Sequence, residues 1–521
     1  MALSDLKFIF YFLPAVLAVY AVIRPDLRSL VLIISGLWFY YMGAGPAGLL
    51  IFVGSVLLNY FAAGGIARWD GWKKKLLLAL ILIFDFGTLF AFKYAGYFAS
   101  LILPGSEIAA ALSGLIIPLG ISFYTFTLAS FVIDTYRGQI PADVKPGKAA
   151  TGESGKAAAE PHKQIPAVGG FRSFAAFVTF FPKLISGPIV RYGQMQPGLA
   201  EPKTTRENLE DGFAVFVIGL GMKILIADGL APQWQYIQRI GYENISTTLA
   251  WIGAFGYSLQ LYFDFHGYSL MAMGIGKMFG FDLPLNFDLP YLSLSVSEFW
   301  RRWHITLGSW FRDYLYIPLG GSKNGKWRMV LSLTVVWLFT GLWHGVGLNF
   351  ILWGICLLVL ILLEKFVFKK YFENHPALGH LYVCFVIPQT WVIFAIPDLK
   401  DIGCYFSRLY PDICSLFGRM NAGICNLIGR LSPDVYNRLG LQNLTFGGVS
   451  EFVNELDFVE VVNSNWWVAF AGIFLCLPFF RRWFTKRGKG VVMTVFLLAV
   501  FWVSVYVISR QGSNPFMYFN F

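Results

Sequence analysis

Charge is scarce in this chain: Asp, Glu, Lys and Arg make up only 14% of its 521 residues, hydrophobic residues make up 56%, and the mean hydropathy is +0.59. So low a charge content excludes an ordinary soluble domain and indicates a membrane protein with many spans. The six cysteines form no C-x-x-C pair, which argues against a zinc or thiol-redox motif. The sequence also lacks a carboxylate cluster suited to metal ions and a serine in a nucleophile elbow. We therefore expect no metal cofactor.

The chain has a net charge of +11, and the basic residues that give it lie largely in short loops. Because it is not interleaved with a soluble aromatic platform, no nucleic-acid partner is expected. Basic loops favour the cytoplasm, and the loop containing Arg481 and Arg482 is predicted to lie there. The N-terminus, the C-terminus and the loop 397–464 are then extracytoplasmic, and the net charge of −3 on that loop agrees. The low-complexity segment 139–170 is predicted to be a flexible cytoplasmic insert.

Apolar stretches predict an all-α polytopic membrane protein, a single domain over 1–521 with about 11 to 13 transmembrane helices. The candidate spans are 8–23, 29–42, 47–64, 76–96, 110–134, 211–230, 247–265, 329–344, 348–364, 378–396, 465–480 and 490–509. Prolines near 180–188 suggest a broken or re-entrant helix. The segment 298–316 is too rich in polar and charged residues for a lipid-exposed span, and it is predicted to be an interfacial or buried helix.

The stretch 329–363 contains no Asp, Glu, Lys or Arg and a single histidine, His344. As one straight helix it would be about 52 Å long, against a hydrocarbon core of about 30 Å, so it must fold back. The glycine-rich segment 345–349 is suited to the turn, which places His344 within the membrane. An ionisable side chain at that depth is a candidate functional residue.

Two histidines are candidates for chemistry, His344 and His304, because an imidazole titrates near neutrality and can act as a general base. A buried histidine that is hydrogen-bonded to a carbonyl is the alternative for both. Asp264 can orient an imidazole or bind a polar substrate, or it can satisfy buried helix ends. Lys223 and Asp228 are spaced to form an intramembrane ion pair, for which a structural role is favoured.

Six motifs in order give the chain a specific resemblance to a known family. They are 118–124 (PLGISFY), 181–188 (FPKLISGP), 262–269 (YFDFHGYS), 298–314, 343–345 (WHG) and 514–519 (NPFMYF). With these motifs the chain resembles the membrane-bound O-acyltransferase superfamily, in particular the bacterial branch that includes the alginate O-acetyltransferase membrane subunit. The resemblance implies a ring of helices around a thin core with re-entrant helices and a tunnel. It also implies that His344 is the catalytic residue and that His304 is a second functional histidine.

Further residues of the substrate site or tunnel are expected from the same motifs. They are Trp343, Trp303, Arg302, Arg312, Asp313, Tyr314, Asp264, Tyr268 and Glu298. Two positions depart from the alginate-type motif FDFSGYSDMA, which has Ser and Asp where this chain has His266 and Leu270. Leu270 matches the last residue of FDFAGYSL, the corresponding motif of the teichoic-acid D-alanylation branch.

The expected activity is transfer of an acyl group, most simply acetyl, across the inner (cytoplasmic) membrane of the cell. The donor would be cytoplasmic acetyl-CoA or another acyl thioester, including an acyl carrier. The acceptor would be a hydroxyl of an extracytoplasmic polysaccharide, or a periplasmic acetyltransferase partner that modifies it, with membrane lipid surrounding the enzyme. D-Alanyl transfer and lipid O-acylation are the alternatives within the enzyme class. A polysaccharide transporter or scaffold subunit is the alternative outside it, although no internal repeat supports a transporter.

Overall fold

A computed structural model describes residues 2–140, 170–202, 204–411, 456–487, 490–512 and 514–517. These ranges are helical and contain no β-strand, which confirms the all-α class. Almost all of the segment 139–170 lies outside the described residues. The loop 397–464 is described only up to 411 and again from 456, so its predicted location stays a prediction.

The α-helices of the described residues are numbered here in chain order. They are α1 (Leu13–Val22), α2 (Arg28–Arg68), α3 (Gly71–Ile102), α4 (Glu107–Ser113), α5 (Ile121–Tyr136), α6 (Phe171–Thr179), α7 (Phe181–Leu184), α8 (Tyr192–Ala200), α9 (Arg206–Gly221), α10 (Asp228–Ile240), α11 (Thr247–Met278), α12 (Val296–Arg302), α13 (Ile305–Phe311), α14 (Lys326–His344), α15 (Leu348–Leu363), α16 (Lys369–Asn374), α17 (Pro376–Ala395), α18 (Leu399–Leu409), α19 (Phe458–Leu475), α20 (Pro478–Arg487) and α21 (Val491–Gln511). Wider π-helical turns occupy Phe8–Phe12, Met222–Ala227, Arg312–Tyr316 and Glu364–Phe368, and 3-10 turns occupy Pro25–Leu27 and Pro290–Leu292.

Six segments of the described chain are long and apolar enough to cross a membrane, or seven if a bent pair within α19 counts as one span. The six are Pro25–Arg68, Gly71–Ile102, Arg206–Ile240, Leu348–Asn374, Pro376–Ala395 and Val491–Gln511. The chain is therefore a multi-pass membrane protein. Several other predicted spans correspond to helices that are shorter, broken or more polar. The predicted spans 29–42 and 47–64 are the two halves of α2, which are divided by a kink where Gly45 adopts a non-helical φ of 68° before Pro46.

Proline and glycine also divide other predicted elements. The predicted span 110–134 is two helices, α4 and α5, separated by a turn that contains Pro118. The break predicted near 180–188 is confirmed, since α6 ends at Thr179 and α7 is only a four-residue helix. The single helix predicted over 298–316 is instead the pair α12 and α13, interrupted at Trp303 and His304.

The predicted hairpin 329–363 is confirmed: α14 ends at His344 and α15 begins at Leu348. Its arms approach closely because glycines face the opposite backbone. A Cβ on Gly341 would lie 2.5 Å from the carbonyl oxygen of Phe350, and one on Gly354 would lie 2.6 Å from that of Trp337. Small residues at such contacts allow helices to pack without a hydrophobic driving force in lipid. The packing holds His344 at the tip of the hairpin.

The buried helix α11 packs against α9 through a second set of glycines. A Cβ on Gly219 would lie 2.5 Å from the carbonyl oxygen of Gly267, and one on Gly274 would lie 2.5 Å from that of Gly212. These distances are shorter than any side chain tolerates, so the two helices are in backbone contact. This contact sets the position of the motif 262–269 in the protein interior.

We predict that Gly274→Val separates α9 from α11 and destabilises the protein by about 1–3 kcal/mol, the usual cost of overpacking. The measurement is the midpoint of thermal unfolding of the purified protein in detergent. Gly87→Val is the matched control, because a Cβ on Gly87 in α3 meets no atom within 4 Å. Equal effects of the two substitutions would contradict the prediction.

Candidate active site

His344 is the last residue of α14, and the end of that helix is held by a lysine from another helix. The ammonium group of Lys93, in α3, donates to the carbonyl oxygens of Trp343 and His344, at 3.1 Å for His344. The last carbonyl groups of a helix have no partner within the helix and carry partial negative charge, so a cation stabilises them. Lys93 therefore fixes the backbone that carries the histidine.

The imidazole of His344 is 4% exposed and lies among aromatic side chains. Its centroid is 4.8 Å from that of Trp343, 5.2 Å from that of Trp353 and 5.0 Å from that of Phe394. The last two rings meet it edge to face, at 88° and 84°. These contacts restrict the orientation of the ring and shield it from bulk water.

His304 lies at the break between α12 and α13 and adopts a φ of 45°, a left-handed conformation that is costly for a residue other than glycine. Its Nδ1 is 2.9 Å from Oδ1 of Asn286, whose Nδ2 donates to Ser269 at 3.0 Å. Since Oδ1 of Asn286 is an acceptor, the ring proton of His304 lies on Nδ1 and the lone pair lies on Nε2. Asn286 thus sets the tautomer of this histidine.

His304 and His344 line the same cavity, which has a volume of about 400 Å³ and which we call the reaction cavity. Trp303 and other aromatic side chains form much of its wall. Three exposed cations also line it, Arg301, Arg312 and Lys365. A cavity with two imidazoles, apolar walls and a cationic surface can bind a molecule with a reactive acyl group and an anionic portion.

Comparison with known proteins identifies the family of the chain. A family model described as "MBOAT, membrane-bound O-acyltransferase family" matches residues 102–396, more than half of the chain. The chain belongs to the membrane-bound O-acyltransferase family. It is an acyltransferase, and an acyl donor is one of its substrates.

Curated relatives of the family differ in the substrates that their names state. The chain is 35% identical to the "Probable alginate O-acetylase AlgI" of Pseudomonas syringae pv. tomato, over 79% of this chain and 75% of the relative. It is 34% identical to the peptidoglycan O-acetyltransferase of Helicobacter pylori, over 76% of this chain and 77% of the relative. It is 33% identical to the teichoic acid D-alanyltransferase of Bacillus subtilis, over 38% of this chain and 52% of the relative.

The structure brings some of the predicted site residues together and places others elsewhere. His344, His304, Trp303 and Arg312 line the reaction cavity, and the ring of Trp343 contacts both histidines, at centroid distances of 4.8 Å and 6.2 Å. Arg302 does not line this cavity, whereas its neighbour Arg301 does. Because α12 turns between them, Arg302 instead pairs with Glu298 at 2.6 Å.

A second group of predicted residues forms a polar network next to the cavity. Asp313 accepts hydrogen bonds from Arg191 at 2.5 Å and from Arg312 at 2.7 Å, and the hydroxyl of Tyr314 donates to Asp134 at 2.8 Å. Partial burial raises the pKa of Asp313, but the hydrogen bond from Arg312 and the charge of Arg191 outweigh it, and the pKa is lowered from its usual value. Asp313 therefore holds Arg312 at the cavity as an ionised partner.

Asp264 and Tyr268 do not line the reaction cavity, and they hold other parts of the fold. Lys223 pairs with Asp264 at 2.6 Å and with Asp228 at 2.7 Å, which confirms the predicted Lys223–Asp228 pair and adds a third member. Asp264 also accepts the backbone N–H of Met517 at 2.9 Å, and Tyr268 stacks on the neighbouring Phe516. These contacts attach the C-terminal motif to α11, as expected if Asp264 satisfies buried backbone groups.

Sequence reasoning missed two residues that position the histidines, Lys93 and Asn286. A signal for Lys93 was present, because it is an ionisable residue inside the predicted span 76–96. The sequence gave no signal for Asn286, since a single asparagine in a loop is common. Among the described residues, no three His, Cys, Asp or Glu side chains are placed to hold a metal ion.

We predict that Lys223→Met destabilises the protein by about 3–5 kcal/mol, because it leaves two buried carboxylates without a cation. The readout is the loss of folded protein on heating in detergent. Lys277→Met is the matched control, since Lys277 pairs at 2.8 Å with Asp282, whose side chain is 83% exposed. Its expected cost is at most about 1 kcal/mol. A Lys223 variant as stable as this control would refute the structural role.

Proposed function

We propose that this enzyme transfers an acetyl group from a cytoplasmic thioester, most simply acetyl-CoA, to a hydroxyl of an extracytoplasmic polysaccharide. A periplasmic acetyltransferase partner that passes the group to the polymer is the alternative acceptor. The observation that carries the proposal is the presence of His304 and His344 on the wall of one cavity with three cations. The alginate and peptidoglycan O-acetylating relatives support the choice of acetyl and of a polymer. The positive-inside rule supports an inner-membrane location with the cations of 323–328 and 365–370 in the cytoplasm.

In the proposed mechanism, His344 takes the proton from the acceptor hydroxyl as its oxygen attacks the thioester carbonyl. The carbon–sulfur bond breaks, and the thiolate leaves with the proton that His344 received, so that a free thiol and an ester are formed. A transient acyl group on His344 is the alternative course. The aromatic surroundings of the ring exclude water and so suppress hydrolysis of the thioester.

The proposed role of the cations follows from the chemistry of the donor. Coenzyme A carries several phosphate charges, and arginine binds phosphate through paired hydrogen bonds. Arg301, Arg312 and Lys365 would hold these phosphates while the acyl group extends toward the histidines. Among the alternatives within the family, D-alanyl transfer is favoured by the teichoic acid D-alanyltransferase relative, which covers a smaller part of this chain. Linkage analysis of the acyl groups on surface polymers, with and without the gene, distinguishes the two.

We predict that His344→Ala and His344→Gln each lower polymer acetylation by at least about 10²-fold, because neither side chain accepts the proton. Acetyl ester on the polymer is measured in cells, together with the amount of the protein in the membrane, which is expected to stay unchanged. His375→Ala, which removes an exposed histidine bonded to Tyr371, is the matched control and is expected to retain activity. Retained activity in both His344 variants would overturn the proposal.

We also predict that Arg301→Gln raises the KM for acetyl-CoA by about three- to tenfold and changes kcat much less, as expected for a lost contact to a phosphate. The increase is expected to shrink at high salt, where exposed charges are screened. Lys326→Gln, an exposed charge outside the reaction cavity, is the control for net charge. An unchanged KM would exclude Arg301 from donor binding.

A further inference from the structure

A second cavity, which we call the Arg481 cavity, has a volume of about 340 Å³ and shares no lining residue with the reaction cavity. Its walls are apolar, with Leu270 and Met273 from α11 and Phe480 from α20. Only two of its lining side chains carry nitrogen, His266 and Arg481. The proposed acyl transfer uses neither of them.

An aromatic partition separates the two cavities. The ring of Phe287 lies 5.0 Å from that of Trp303, in the wall of the reaction cavity, and 5.3 Å from that of His266, in the wall of the Arg481 cavity. Tyr262 continues this partition, stacked on His266 at 5.3 Å and with its centroid 6.0 Å from that of Trp303. A molecule in the Arg481 cavity would therefore not reach the reacting histidines.

His266 places a buried polar ring in the wall of this cavity. The ring lies nearly parallel to Tyr262, at 6°, and its buried Nδ1 has no hydrogen-bond partner in the part of the chain that the structure describes. A buried polar atom without a partner is costly and uncommon. His266 also lines the cavity, and an imidazole can hydrogen-bond to the ester or hydroxyl group of a bound molecule.

Arg481 gives the cavity a positive charge. It lies on α20, whose sequence PFFRRWFTKR combines four basic residues with four aromatic ones, as in helices that lie at the surface of anionic membranes. The Nη1 of Arg481 contacts Asp288, and the side chain is 54% exposed. A guanidinium group has five N–H donors, so Arg481 can bind a phosphate while it keeps the contact with Asp288.

We propose that the Arg481 cavity binds an anionic phospholipid, with an acyl chain in the apolar cavity, an ester group beside His266 and the phosphate on Arg481. Charge complementarity selects this occupant, because the exposed guanidinium group of Arg481 lines an otherwise apolar cavity. The lipid would come from the leaflet on the basic side of the membrane. The site does not depend on the acyl-transfer substrates, so a test of lipid binding is also independent of the proposed function.

The test uses the full-length protein purified in detergent and mixed with equal amounts of phosphatidylglycerol and phosphatidylethanolamine that have the same acyl chains. Native mass spectrometry then counts the lipid that each protein retains. The wild type is expected to retain one phosphatidylglycerol in preference to phosphatidylethanolamine. Arg481→Gln is expected to lower this retention by about tenfold, as for the loss of one charge-assisted contact.

Two further variants distinguish binding of the lipid in the cavity from adsorption of the lipid to the basic helix α20. Arg482→Gln removes the same charge from the next residue of α20, which does not line the cavity, and it is expected to retain the lipid. Met273→Trp fills the cavity without a change of charge and is expected to lose the lipid. Equal retention of the two lipids by the wild type would overturn the proposal. So would equal losses in the Arg481 and Arg482 variants, or full retention by Met273→Trp.

Discussion

The arrangement of the candidate active site depends on how one helix ends inside the protein. The last residues of α14, Trp343 and His344, are buried, and the ammonium group of Lys93 supplies a donor for their carbonyl oxygens. The same interaction fixes His344, because the histidine is the residue whose carbonyl oxygen is bound. The glycine contacts between α14 and α15 then hold this end of the helix against its partner. The need of a buried helix end for hydrogen-bond donors thus also positions the side chain to which we assign the chemistry.

The second histidine is positioned by a different means. His304 occupies a strained backbone position between two short helices, and Asn286 holds its ring in one tautomer. Strain of this kind persists only where the surrounding contacts over-determine the conformation. Here the N–H of Ile305 donates to the carbonyl oxygen of Asn286, so one residue holds both the ring and the adjoining backbone. The break in the helix is what brings His304 to the wall of the reaction cavity.

The ionisable residues divide into two groups by their surroundings. Lys223 is buried with its two carboxylates and attaches distant segments of chain to each other, as a charge in a low-dielectric interior must be paired. Arg301 and Arg481 are exposed at two separate cavities, where a cation can meet a ligand from solvent or from the membrane surface. The two departures from the alginate-type motif, His266 and Leu270, both line the Arg481 cavity and not the reaction cavity. Variation in that motif therefore does not alter the walls around the two histidines.

Composition and long apolar stretches alone indicate that this protein lies in a membrane as helices, because a helix satisfies all of its own backbone hydrogen bonds in lipid. The length of the uncharged stretch 329–363 also determines the hairpin, since a straight helix of that length exceeds the bilayer. Only the tertiary structure decides which polar residues meet. The choice of Arg301 over Arg302 depends on the angle of a seven-residue helix, and the contact of Lys93 with Trp343 joins positions 250 residues apart. Local periodicity carries no information about such distant contacts, which arise from the packing of many helices together.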